Sequence, residues 1–415
     1  MFKLSLLFCV LILFVNVLNA QNTGCTDENA LNFDENATQN DGSCEYDDVT
    51  YNPNFLSNLP DTVNETSGVI VLDNGIWTHN DSGNEPKLYL LDENSYELIR
   101  TVHIRDYPNV DWEEITHNED YVFIGDFGNN NGGRTDLKIL KFEKSLLLDN
   151  SIDTIDVSEV INFSYPDQTD FQHIDNEHNF DCEAFIYFND SLQIFTKHRA
   201  DEFTKHYTLP AEAGTYSAIL KDSLEVFGQV TASHIQGDTL IALLGYRPSA
   251  LFEPFVFLLW DFPSDQVFNG NKRRVSLGTV MEMGQNEAIY FTGNNQGYIT
   301  AEEINQFDIP PKIFKFDFTH LFSDNIASTQ KIDEEISVKV FPNPSNGILT
   351  ITSDIKKINR LEIYNETGQL LSKTEFLSPK KSVTEDLDSS FGSTLILNIY
   401  LENDELIVRK IMLNK

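Results

Sequence analysis

The chain has 415 residues, with 65 acidic against 29 basic side chains and a formal net charge of −36. So acidic a protein repels phosphate backbones and anionic lipid surfaces, which excludes nucleic-acid and membrane-surface binding and leaves cations as favoured small partners. Hydrophobic residues at 40% and charged residues at 23% are those of a folded protein, and 12% aromatics suit strands.

Residues 1–20 read as a secretory signal peptide. Lys3 is the positive start, Leu4–Val17 is nearly unbroken apolar sequence, and Ala20 is a small residue at the cut. Gln21 follows, where a lipoprotein would carry cysteine. No later stretch reaches the apolar length of a membrane span. Losing Lys3 takes the mature chain to about −37. Cys9 leaves with the signal. In the oxidising compartment beyond, Cys25 and Cys44 are the natural disulfide, closing a loop worth roughly 3 kcal/mol. Cys182 sits in an apolar run and is expected as a free buried thiol. No CxxC or HxxxH spacing points to zinc.

Residues 21–50 hold the stapled segment. Its run GCTDENALNFDENATQNDGSCEY at 24–46 resembles a short GCTD…DGSC repeat of secreted bacterial multidomain proteins. Its carboxylates and amides could hold Ca²⁺, or the segment could be a stapled spacer with no ion.

Residues 51–325 contain an internal repeat. Segments 65–81, 111–128, 181–199, 231–247 and 285–303 share an acidic or polar opening, an apolar strand, a polar turn and a second strand. A third strand follows each, as in KLYLLD or FVFLLW, and a fourth follows most. Four antiparallel strands repeated radially predict an all-β fold, a five- or six-bladed β-propeller. Residues 51–60 could complete the fifth blade, and 144–179 could hide a sixth. A pair of β-sandwiches is the alternative. The motifs WTHNDSG at 77–83, DWEEI at 111–115, GDFGNN at 125–130, DCEAF at 181–185 and QNEAI at 285–289 resemble secreted bacterial propellers of the NHL and phytase-like kind.

Residues 326–335 are a polar linker. Residues 336–415 alternate again and predict a small C-terminal β-sandwich. Phe341–Gly347 (FPNPSNG), Leu361–Gly368 (LEIYNETG) and Val408–Met412 resemble the type IX secretion C-terminal sorting domain. That resemblance implies passage through the periplasm to the medium or outer cell surface, with the secretion machinery as partner.

Superposing the repeats predicts the chemistry. Inner strands open on Glu65, Asp111, Asp181, Thr231 and Gln285, and period-2 alternation puts Ser67, Glu113, Glu183, Ser233 and Glu287 on one face. Second strands return to the same mouth at His79–Asp81, Asp126, Lys197–Arg199, Tyr246–Arg247 and Glu302–Glu303. The expected ligand-binding set is Glu65, Asp81, Asp111, Glu113, Asp126, Asp181, Glu183, Lys197, Arg247 and Glu287. Crowded carboxylates repel unless a cation sits among them, so Asp111, Glu113, Asp181, Glu183 and Glu287 are candidate ligands for Ca²⁺. The same acids could instead bond to backbone amides of neighbouring blades. Two functions follow: a module binding a small molecule, glycan or peptide, or a metal-dependent hydrolase of phosphoesters or lactones. Ser67-Gly68 lacks a nucleophile elbow, and no complete catalytic set is legible, which favours the binder.

Overall fold

A computed structural model describes residues 22–172, 177–248, 252–322, 338–353, 356–365, 368–388, 391–392, 394–402 and 406–413. The predicted signal peptide and linker lie outside them. The chain divides into two compact units, Met1–Asp324 and Asn325–Lys415.

In the first unit, five apolar segments become the inner strands of five sheets, taken in chain order: Thr66–Leu72, Trp112–His117, Asp181–Phe188, Gln229–Gln236 and Gln285–Gly293. Each pairs antiparallel with the strand after it through a tight turn, and a third strand completes the run. Tight turns use left-handed residues, such as Asn189 and Asp190 (φ 51° and 54°). The inner strands neighbour one another in order, and the fifth returns to the first. Apolar layers fill the gaps between successive sheets. Phe123, Phe127 and Phe163 meet Phe185 and Ile194, for example, and Ala184 and Phe195 meet Leu243 and Phe255. The architecture is all-β and propeller-like.

Sheet five takes its outer strand from the N-terminal side, Asn54–Asn58, antiparallel to Lys312–Asp317. Val49–Thr50 lies parallel beside the outer strand of sheet four, Asn271–Ser276. One short run therefore ties the ends of the unit together. Residues 144–179 give Thr154–Ile155 to sheet one and Glu159–Ser164 to sheet two, and make no sheet of their own among the described residues.

Cys25 and Cys44 are bridged, and Cys182 is a free buried thiol, both as expected. The stapled segment rests on sheet four. Tyr46 meets the Trp260 ring at 5.2 Å, Lys272 donates to Gly42 O at 3.0 Å, and Asn40 reaches Asp261 and Asn271. Its acids serve local turns: Asp27 accepts from Asn29 N and Tyr46 OH, and Asp34 accepts from Asn36 N.

The second unit sets the three strands Val338–Phe341, Ile348–Ser353 and Ser382–Asp386 with a four-stranded sheet of Ile358–Asn365, Leu370–Lys380, Thr394–Leu401 and Leu406–Met412. Leu349, Ile351, Leu361, Ile363, Leu397 and Ile399 from both sheets share one core.

Candidate functional site

Each inner strand carries a β-bulge at the same place, just inside its start. The unpaired residues are Ser67, Glu113, Glu183, Thr231 and Glu287. A bulge breaks the period of two and re-aims one side chain. In sheet four that residue is Thr231, so the expected equivalence of Ser233 is two residues out of phase. The hydroxyl bulges join neighbours: Ser67 Oγ donates to Glu113 O at 2.7 Å, and Thr231 Oγ1 to Asn286 O at 2.7 Å. The three glutamates instead line a cavity of about 200 Å³. Asp81, Lys197, Arg199 and Tyr246 complete much of its wall, with Ser67, Asn130 and Gln285.

The cavity has two electrostatic sides. On one, Lys197 Nζ clamps both oxygens of Glu183 and lies 5.3 Å from the Tyr246 ring centre. Arg199 Nε donates to Asp181 Oδ2 at 2.6 Å and Nη2 reaches Glu183 at 3.3 Å. Asp181 also accepts from Asn129 N at 2.7 Å. Burial pulls the Lys197 ammonium down, but Glu183 outweighs it and holds the group protonated.

On the other side, oxygens of Asp81, Asp111 and Glu113 lie within 4.8 Å of one another. The Glu113 carboxylate has no hydrogen-bond or ion-pair partner among the described residues, although Glu113 is 3% exposed. Burial, then the charges of Asp81, Glu183 and Asp111, push it well above the carboxylate range. Burial with Asp81 and Asp181 lifts Asp111 to about 7, against the pull of Arg134. Gly128 makes room for this cluster: a Cβ there would stand 2.1 Å from Glu113 Oε1 and 2.5 Å from Asp111 Cγ.

Glu287 also lines the cavity, and Glu302 stands behind it, both accepting from Gln285 Nε2. Burial raises Glu287 to about 7, opposed by Lys197, and raises Glu302 to about 10, reinforced by Glu287.

Asp81, Glu113, Glu183, Lys197 and Glu287 thus line the cavity, with Asp111 and Asp181 bonded around it. Glu65 turns to Asn84. Asp126 is taken by Arg134 at 2.9 Å and Lys138 at 3.3 Å. Arg247 pairs with Glu202 through two bonds of 3.0 and 2.9 Å. Arg199, Tyr246 and Gln285, expected at the mouth but not in the ligand-binding set, also line the cavity, and Asn130 was expected in neither. Glu114 was absent from the expected set too; it is fully buried and accepts from Ser233 N at 3.1 Å and Ile115 N at 3.0 Å. Glu114 is the acid that ties sheet two to sheet four, across the ring, through a backbone amide.

The model of the secretion system C-terminal sorting domain matches residues 339–413. The protein is therefore an exported one, destined for the cell surface or the medium, and its sorting domain implies interaction with the secretion machinery. No helix among the described residues is long and apolar enough to cross a membrane. No curated protein matches the chain. Among solved structures, it is similar to the extracellular domain of a B. thetaiotaomicron protein (9% identity, 88% of this chain and 60% of that one, TM-score 0.31). It is also similar to the WD40 β-propeller domain of Doa1 (10% identity, 87% and 97%, TM-score 0.28). A third likeness is to an exo-β-1,3-galactanase of Clostridium thermocellum (9% identity, 87% and 86%, TM-score 0.42). At these scores the likenesses carry no argument about activity.

Proposed function

We propose that the protein is an exported ligand-binding module, a five-bladed propeller of the NHL and phytase-like kind, with the signal at 1–20 and the sorting domain at 336–415. The ligand sits at the propeller mouth, in the cavity between Glu113, Glu183 and Glu287. A calcium ion held by Asp81, Asp111 and Glu113 completes the site.

One observation carries this reading: Glu183 and Asp181 are ion-paired with Lys197 and Arg199, and Glu287 and Glu302 are bonded to Gln285, whereas Asp81, Asp111 and Glu113 crowd together with no ion-pair partner among the described residues. Three mutually repelling carboxylates in a buried wall are costly, and a hard divalent cation is the partner their oxygens suit. Glu183 and Glu287, also candidates from the sequence, are the ligand-facing wall rather than the metal shell, and Asp181 stands behind that wall, bonded to Arg199 and Asn129 N.

Calcium tests it through stability. An ion that binds only the folded state adds about 2.7 kcal/mol at a hundredfold excess over Kd. The mature protein should melt higher in calcium than in chelator, and Asp111→Asn or Glu113→Gln should remove most of that rise. A rise that survives both substitutions would move the ion elsewhere, to the stapled segment first. No rise at all would leave the three acids without the partner proposed for them.

A further inference from the structure

We infer that the mouth of the cavity is a carbohydrate subsite, with Phe252 and Phe227 as its stacking platform. The inference rests on the ligand-binding reading above and names the class of ligand.

Phe252 is 43% exposed, and its ring lies 5.5 Å from that of Tyr246, which lines the cavity. Phe227 is 42% exposed and stands two residues before Gln229, the strand residue paired with Tyr246. Both phenylalanines hold left-handed backbone, with φ of 54° and 56°. A bulky side chain rarely adopts that region, and such strain collects at binding sites. Here the strain turns large apolar rings to water rather than into a core. The rim is braced: Phe227 N donates to Glu202 O at 3.0 Å, and Glu202 holds Arg247, the residue after Tyr246.

The cavity below alternates hydrogen-bonding roles. Donors and acceptors stand side by side around one small space: Lys197 against both oxygens of Glu183, Arg199 against Glu183 and Asn130, and Gln285 against Glu287. A sugar hydroxyl is donor and acceptor at once, so neighbouring hydroxyls fit such a wall. The aliphatic face of a pyranose ring would lie on the phenylalanines. A basic peptide is the poorer fit, because Glu183 is already paired with Lys197 and Arg199 and the proposed calcium ion takes Asp81 and Glu113.

The full mature protein is tested against an immobilised panel of neutral gluco-, galacto-, manno- and xylo-oligosaccharides, with polylysine alongside, in calcium. Binding to at least one oligosaccharide is expected. Phe252→Ala should weaken it about tenfold with the melting temperature unchanged, since the ring is exposed, and Phe227→Ala should act likewise. Sugar binding that both variants retain would overturn the platform. Polylysine binding in place of sugar would overturn the ligand class in favour of a basic peptide. A blank panel would overturn it too, and if calcium still raises the melting temperature, the ion-binding reading stands without it.

Discussion

Replacing Lys197 with methionine isolates the charge logic of the cavity. Lys197 and Glu183 side chains are 4% and 6% exposed, so the variant leaves a buried carboxylate short of its principal cation. Breaking a buried pair from one side costs about 3–5 kcal/mol. Protonation caps the loss: holding a glutamic acid of ordinary pKa 4.5 neutral at pH 7 costs about 3.4 kcal/mol. Arg199, 3.3 Å away, retains part of the compensation, so the expected loss is about 2–3 kcal/mol at pH 7. The sign with pH follows. A carboxyl raised in the folded state contributes fully below its unfolded pKa and loses that contribution as pH rises. The deficit should therefore shrink to under about 1 kcal/mol by pH 5. Urea unfolding in chelator, at pH 5 and pH 7, measures it, and Glu183→Gln in the same chain should recover most of the loss. An equal deficit at both pH values would mean that Lys197 contributes packing, and the charge argument would be refuted.

Gly128→Ala should abolish the calcium response while leaving the fold intact, because its Cβ would enter the space of Asp111 and Glu113; thermal melts with and without calcium check it. His206 is fully buried, and burial depresses it from 6.5 to about 4, so neutral His206 stabilises above pH 6.5 and that contribution fades as pH falls through 4. The stability gap between wild type and His206→Gln should accordingly narrow by about 3 kcal/mol between pH 7 and pH 4 in urea titrations. Removing residues 336–415 should retain the protein in the periplasm, read by fractionation; arrival of the truncated chain in the medium would contradict the sorting role.

The inner and second strands were legible because each couples an apolar run to a turn signal, as at Asp73-Asn74-Gly75 between Leu72 and Ile76. The site was legible to the level of its mouth. Glu113, Glu183 and Glu287 were found from their equivalent places in the repeat. Their true reason for sharing a face, the bulge, was not legible, because alternation assumes an unbroken period. The same assumption paired Ser233 with Glu113 and passed over Glu114. Two adjacent glutamates in one strand were the available signal: a bulge sends Glu113 to the cavity and Glu114 to backbone amides. Arg247 and Asp126 looked like mouth residues from strand position alone, but their partners Glu202, Arg134 and Lys138 lie in loops and neighbouring strands that no pattern links to them.

Calorimetric titration of the mature protein with calcium measures occupancy of the three-carboxylate site itself. A saturable binding isotherm is expected, with the event lost in the Asp111→Asn/Glu113→Gln double variant, whose fold is verified by circular dichroism. An isotherm unchanged by the double substitution, or no binding in the wild type, would contradict a calcium ion held by Asp81, Asp111 and Glu113.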